Sequence, residues 1–238
     1  MTERKWVAGV DGAQRGWIVA YVPLRKGKGS YLKRYEHFSE VKAETEAMNC
    51  QAVAVDMPMG LSDEPNNKID QELRKRLGER RSSLFPTPSS GVLNARTYEE
   101  ALERNREITG KGISIQAWNL VPQIRQVRKV VHPSDTDQFV ECHPESSFAA
   151  MTDSSLLSKK TDQGAIQRID LLQEFVPDLE SVLCSLPRKC KMDDALDAFA
   201  AAWTAKRYVR GKSVIIGGRD YDKPVSYTHL RAHETTEH

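Results

Sequence analysis

The sequence predicts an α/β protein: five strands flanked by helices, with a helical insertion after the fourth strand. Two observations carry this expectation. Three apolar or aromatic runs follow one another near the start and lead into a helix and a fourth apolar run. A charged, helix-like stretch then separates these elements from a short fifth apolar run and two later helices.

In order, residues 5–11 (KWVAGVD) read as a buried strand and Gly16 to Val22 (GWIVAYV) as a second. Ser30 to Phe38 (SYLKRYEHF) alternates loosely, as a half-exposed third strand does, and RKGKG before it reads as a hairpin turn. Ser39 is an N-cap for a helix over 40–49. QAVAVDMPMG gives the fourth strand, its apolar run ending on Asp56. From Leu61 to Val131 the chain is charged and mostly helical, interrupted by LFPTPSSG. Phe139 opens a short fifth strand, and 161–175 and 193–207 read as helices. There is no internal repeat, so 1–224 reads as one domain with an insertion at about 61–131. The segment VSYTHLRAHET resembles the translation of a transposon-type sequencing adapter. Residues 225–238 are therefore set aside, and their histidines do not count as a metal motif.

Composition narrows the class. With 39% hydrophobic and 29% charged residues the chain reads as globular, and a net charge of +2 neither demands nor excludes a nucleic-acid partner. The four cysteines form no C-x-x-C pair and no finger spacing, which argues against a disulfide framework or structural zinc and for a reducing, cytoplasmic setting. No apolar run is long enough to span a bilayer, so no membrane partner is expected.

The acids stand out. Asp11 and Asp56 end predicted strands, Glu141 and Glu145 flank the fifth, and Asp193, Asp194 and Asp197 open the helix DDALDAFAAAW. Adjacent parallel first and fourth strands bring Asp11 and Asp56 out side by side, and Asp194 and Asp197 share one side of their helix. Clustered carboxylates repel, and an oxygen-only set is compensated by Mg²⁺ or Mn²⁺. Two such ions activate water and stabilise the leaving oxygen of a phosphodiester. Each acid also has a plainer reading. Asp11 and Asp56 suit turns, Asp193 and Asp194 suit a helix N-terminus, and Glu145 suits a loop. Asp197 fits none of these, since it lies past the first turn beside the stripe Leu196, Phe199, Ala200 and Trp203.

This order of elements, with acids at these points, resembles the RNase H-like fold. More closely, the chain resembles the family called domain of unknown function 429, described as predicted nucleases of that fold. The matching segments are GVDGAQRGW, AVDMPMGL, LGERRSSLFPTPSSGVL, TGKGISIQAWNLVPQIRQV, ECHPESSF and DDALDAFAAAWTAKR, spread over residues 7–207. Asp194-Ala-Leu-Asp197-Ala is similar to the D-x-x-D-A helix of RuvC-type resolvases. Asp11 takes the first-strand acid position, and Asp56 takes the fourth-strand position where such enzymes commonly carry Glu. The resemblance implies a mixed five-stranded sheet and a nuclease acting on DNA or RNA. Its catalytic set is Asp11, Asp56, Glu145, Asp194 and Asp197, with the four aspartates as ligands of Mg²⁺ or Mn²⁺.

Basic residues complete the expectation. In KIDQELRKRLGERR, Ile69, Leu73 and Leu77 keep helical spacing, and the surrounding cations read as a solvated face or as a phosphate-contacting arm. The resemblance favours the arm for Arg80 and Arg81, whose planar forks suit phosphate. Gly110-Lys111-Gly112 is not a P-loop, because the preceding glycine and the following hydroxyl are missing. A loop bringing Lys111 and Gln116 to the site is the expectation instead. Trp118 reads as core. His143 reads equally as a base, a metal ligand or a structural histidine.

Two other function classes share these residues. GVDGAQRG resembles the first phosphate loop of sugar kinase and actin relatives, which points to a nucleotide-binding phosphotransferase. Those proteins pair two such domains, whereas this chain has room for one. A non-catalytic RNase H-like scaffold is the third class, and metal titration separates it from the first.

Overall fold

The computed structural model describes residues 5–61, 63, 65, 68–77, 86–135, 137–216 and 231–233. Its frame is a mixed sheet built from β1 (Trp6–Ala13), β2 (Gly16–Pro23), β3 (Tyr31–Tyr35), β4 (Cys50–Val55) and β5 (Phe139–Glu141), in the spatial order β3-β2-β1-β4-β5. The first three strands are antiparallel neighbours, while β4 runs parallel to β1 and β5 parallel to β4. This is the α/β class and the mixed five-stranded sheet that the sequence led us to expect. Two three-residue strands, β6 (Val214–Ile216) and, within the adapter-like segment set aside above, β7 (Arg231–His233), lie beyond β5 in the order β5-β7-β6.

Helices cover both faces, as the parallel part of a sheet requires. On one face lie α1 (Phe38–Ala47) and α4 (Ile115–Val130), over Ala8, Val10, Trp17, Val19, Tyr21 and Phe139. Trp17 packs edge-on against Phe38 with ring centres 4.8 Å apart, and its indole N–H donates to Gln126 Oε1 at 3.0 Å. The other face is covered by α5 (Pro144–Ala150), α6 (Asp162–Gln173), α7 (Leu179–Leu183) and α8 (Met192–Val209). Between β4 and β5 the chain forms α2 (Lys68–Leu77), a 3-10 turn at Ser90–Asn94, α3 (Tyr98–Thr109) and α4. The α3–α4 hairpin has its own small apolar cluster, which includes Val92, Ala101, Ile113 and Val121.

Contact between α8 and the sheet is unusually close, because the sequence supplies only small groups there. A methyl added to Gly9 would overlap the backbone of Ala198 and Ala202. Ala198, Ala201, Ala202 and Ala205 are all buried on this helix. A helix axis can lie this near a strand only where side chains on both partners are this short.

Several local expectations shift. The first strand runs to Ala13 rather than stopping at Asp11, because Gly12 and Ala13 pair with Trp17 and Gly16 of β2. Asp11 therefore sits inside a hairpin, paired with Ile18, and only its parallel neighbour β4 has ended beside it. The tight turn leaves Arg15 at φ +56°, and Arg34 Nη2 donates to the Arg15 carbonyl at 2.7 Å. Helix α1 starts before Ser39, capped at His37, where Glu40 Oε2 accepts from the His37 N–H at 2.8 Å. The third strand is shorter than 30–38, since the chain turns into α1 after Tyr35. Gly110 is not part of a phosphate loop. It ends α3 in the left-handed conformation at φ +70°, the usual role of glycine after a helix. Trp118 packs, half-buried, against the hairpin cluster. The four cysteines are free. Among the described residues, no helix is long and apolar enough to cross a membrane.

Candidate carboxylate site

Asp11 and Asp197 are the buried centre of the site, 8% and 7% exposed. Alternation along β1 decides where Asp11 points. Val10 belongs to the α1–α4 side, so Asp11 faces the α8 side, as Val7 and Ala13 do. Asp56 follows β4 directly, and its N–H donates to the Val10 carbonyl at 2.9 Å, which fixes the two acids as neighbours at one edge of the sheet. Helix α8 crosses this edge with its first turns. Asp194 there is half-buried, and its Oδ2 accepts from the Lys191 N–H at 3.1 Å, closing the cap of the helix. Asp197 lies one turn further in, against the sheet.

The electrostatics follow from this convergence. Burial pushes the Asp11 carboxyl well above its ordinary range, and Asp197, Asp56 and Asp194 push it further in the same direction. Asp197 is likewise raised, first by burial and also by Glu145. Lys159 and Arg168 oppose that shift. Lys159 Nζ donates to Asp197 Oδ2 at 2.9 Å. Burial alone would favour the neutral amine, but Asp197, Glu145 and Asp56 more than reverse this and hold Lys159 as the ammonium. The thiol of Cys142, buried next to β4, is driven up by burial and by Asp56, Glu141, Asp11 and Asp197.

The remaining acids are engaged elsewhere. Glu145, in the first turn of α5, accepts from Arg168 Nη2 at 2.8 Å and 3.0 Å, and both side chains are buried. It reaches the cluster through its charge on Asp197 and Lys159. Glu141 Oε2 accepts from the Met59 N–H at 3.1 Å and pins the segment after β4. His143 stands at the N-cap of α5, its Nδ1 3.4 Å from Ser146 Oγ. Asp193 is exposed.

The candidate phosphate contacts divide differently. Lys111 and Gln116 are exposed on the α3–α4 hairpin, the helix pair whose α4 packs on the opposite face of the sheet from α8. The Lys111 carbonyl accepts from Asn105 Nδ2 at 2.8 Å, which ties that loop to α3. Arg80 and Arg81 lie outside the described residues.

Two cations escaped the sequence reading. Lys159 sits in the loop before α6 (SKKT), where a lysine carries no positional signal. Arg168 did carry one: with Gly164 and Leu172 it forms the buried stripe of α6 at i, i+4, i+8, and an arginine in such a stripe demands a buried acid.

The donors suit a hard divalent cation in type, since every carboxylate here is an oxygen ligand and the cluster carries excess negative charge. In spacing they are open: among the described residues no three His, Cys, Asp or Glu side chains are gathered tightly enough to share one ion. The ammonium of Lys159 supplies the positive charge in this arrangement.

Neither the curated proteins nor the solved structures include a match to this chain. A family model does match, over residues 9–221, a range that takes in Asp11, Asp56, Asp194 and Asp197. The chain therefore belongs to the family described as Protein of unknown function (DUF429).

Proposed function

We propose that this protein is a metal-dependent nuclease that hydrolyses phosphodiester bonds of DNA or RNA at the carboxylate edge. The observation that supports the reading is the meeting of Asp11, Asp56, Asp194 and Asp197, carried by three different elements, around a buried Asp11 whose ionisation the other three oppose. Such crowding costs stability without improving packing, which is the mark of a site kept for chemistry.

Asp11, Asp56, Asp194 and Asp197 would hold Mg²⁺ or Mn²⁺, which when bound supplies an activated water and neutralises charge on the phosphate. The chain's own residues do the rest. Strand β1 and helix α8 fix Asp11 and Asp197 on rigid elements. Lys159 holds Asp197 in place while no metal is bound. Glu145, oriented by Arg168, adds negative potential behind Asp197. Arg80 and Arg81 are the residues to which the reading gives the substrate phosphate.

The test is hydrolysis of labelled single-stranded, duplex and branched DNA and of RNA with Mg²⁺ or Mn²⁺. We expect cleavage by the wild type and a loss of at least about a thousandfold in Asp11→Asn, the scale of removing a group used in the transition state. In the absence of metal the same variant should melt higher than the wild type, because it removes the carboxyl that burial and three aspartates disfavour. Wild type inactive on all four substrates with both metals, or full activity in Asp11→Asn, would sink the reading.

A further inference from the structure

A second charged region lies away from the carboxylate edge, where α8 ends. There the ends of α5, α6 and α8 and the β2–β3 hairpin border a half-open cavity of about 410 Å³, a size within the range of small-molecule sites. Its polar wall is formed by Lys26, Lys206, Arg207, Arg210 and Lys212, with Glu174 as the single acid of the lining. Its apolar wall includes Met151, Leu171 and Trp203.

The cations are held in place by the backbone. Lys206 is buried, donates to the Pro23 carbonyl at 3.2 Å and lies over the Phe175 ring at 5.0 Å. Arg210 Nη2 reaches the Leu24 carbonyl at 3.4 Å, and Arg207 Nη2 donates to the Lys212 carbonyl at 2.8 Å. Neutral carbonyls orient Lys206 and Arg210. The like charge is felt: burial, Arg210 and Lys26 pull the Lys206 ammonium down to about 8. Favourable cation placement near a helix C-terminus accounts for Lys206 and Arg207, which lie in the last turn. It does not account for Lys26, which the hairpin brings in from another part of the chain, or for the cavity beside it.

We propose that this cavity is a binding site for a nucleoside monophosphate, with the phosphate held by Lys206, Arg210 and Lys26 and the base against Trp203, Met151 and Leu171. A phosphate is the anion that uses three converging donors, and charge-assisted bonds to it are strong in a partly buried site. A flat ring uses an apolar wall that an inorganic ion would leave wet. The site is independent of the carboxylate chemistry. Asp197 and Lys206 lie nine positions apart on α8, about 14 Å of helix at its usual rise.

Calorimetric titration of the full chain with AMP and with inorganic phosphate, in metal-free buffer, tests the proposal. AMP should bind at least about tenfold more tightly than phosphate, and Lys206→Met should weaken AMP binding by about tenfold or more. Arg210→Gln, at an exposed position, should weaken it severalfold without changing the melting temperature, so a folding defect in Lys206→Met would not leave the matter open. No heat with AMP, equal affinity for AMP and phosphate, or AMP binding unchanged in Arg210→Gln would overturn it. AMP binding that is lost in Asp11→Asn but kept in both cation variants would place the nucleotide at the carboxylate edge and overturn it equally.

Discussion

The two ends of α8 make opposite use of the same physical situation. At its start, Asp194 and Asp197 meet Asp11 and Asp56, and burial with like charge raises the Asp11 carboxyl. At its end, Lys206 meets Arg210 and Lys26, and burial with like charge lowers the Lys206 ammonium to about 8. Elsewhere on the same face, Glu145 and Arg168 are buried just as deeply but as a matched pair. The contrast teaches that burial of charge is not itself the signature of a site. Opposite charges buried together explain themselves structurally, whereas like charges gathered together need a partner from outside.

Both ends depend on one rigid beam, so the largest expected effect comes from lifting it. Gly9→Ala drives a methyl into the backbone of Ala198 and Ala202, which neither partner can yield. We expect a loss of about 3 kcal/mol or more, roughly 6–12 °C in melting temperature for a chain of this size. Thermal denaturation measures it, and a shift under about 2 °C would show that α8 is less tightly seated than described.

The next effect separates the ends by pH. The folded-state value of Lys206 lies below its ordinary 10.5, so the unfolded chain binds the extra proton between about 8 and 10.5. Stability from this group therefore rises with pH across that window, and the full penalty is present below pH 8. Lys206→Met removes the penalty. It should be more stable than the wild type at pH 7, by about 1 kcal/mol or roughly 2–4 °C, and the advantage should shrink by pH 10. An advantage independent of pH would mean that packing rather than charge distinguishes the variant.

The smallest effect bears on the acidic end. Lys159 is the local cation opposite Asp197, with its side chain 43% exposed. Lys159→Met should cost under about 1 kcal/mol without metal, as expected of a partly exposed ion pair. It should bring the Mn²⁺ concentration that gives half the maximal rise in melting temperature down severalfold, because an ammonium no longer competes for the same oxygens. An unchanged Mn²⁺ response would separate Lys159 from the metal-binding oxygens.

Much of the frame was legible because apolar period and punctuation are local. The runs KWVAGVD, GWIVAYV and QAVAVD became β1, β2 and β4, and the two late helices fell within a few residues of α6 and α8. The short helices α5 and α7 were missed, since seven and five residues show too little periodicity to register. The extension of β1 through Ala13 was missed for another reason: Gly12-Ala13 has no strand preference of its own and is extended only because β2 pairs with it. At the site, the acids were visible as acids, but which cation meets which acid was not.

By itself, the sequence determined the order of the five main strands and of the two long late helices, and the acids placed at the ends of apolar runs. These follow from side-chain size, period and solvation, all properties of short segments. Only the tertiary structure decided which charges are matched and which are crowded. Arg168 reaches Glu145 across 23 positions, Lys159 reaches Asp197 across 38, and Lys206 reaches the Pro23 carbonyl across 183. Coulomb energy depends on distance and desolvation in the folded state, and no local pattern encodes either.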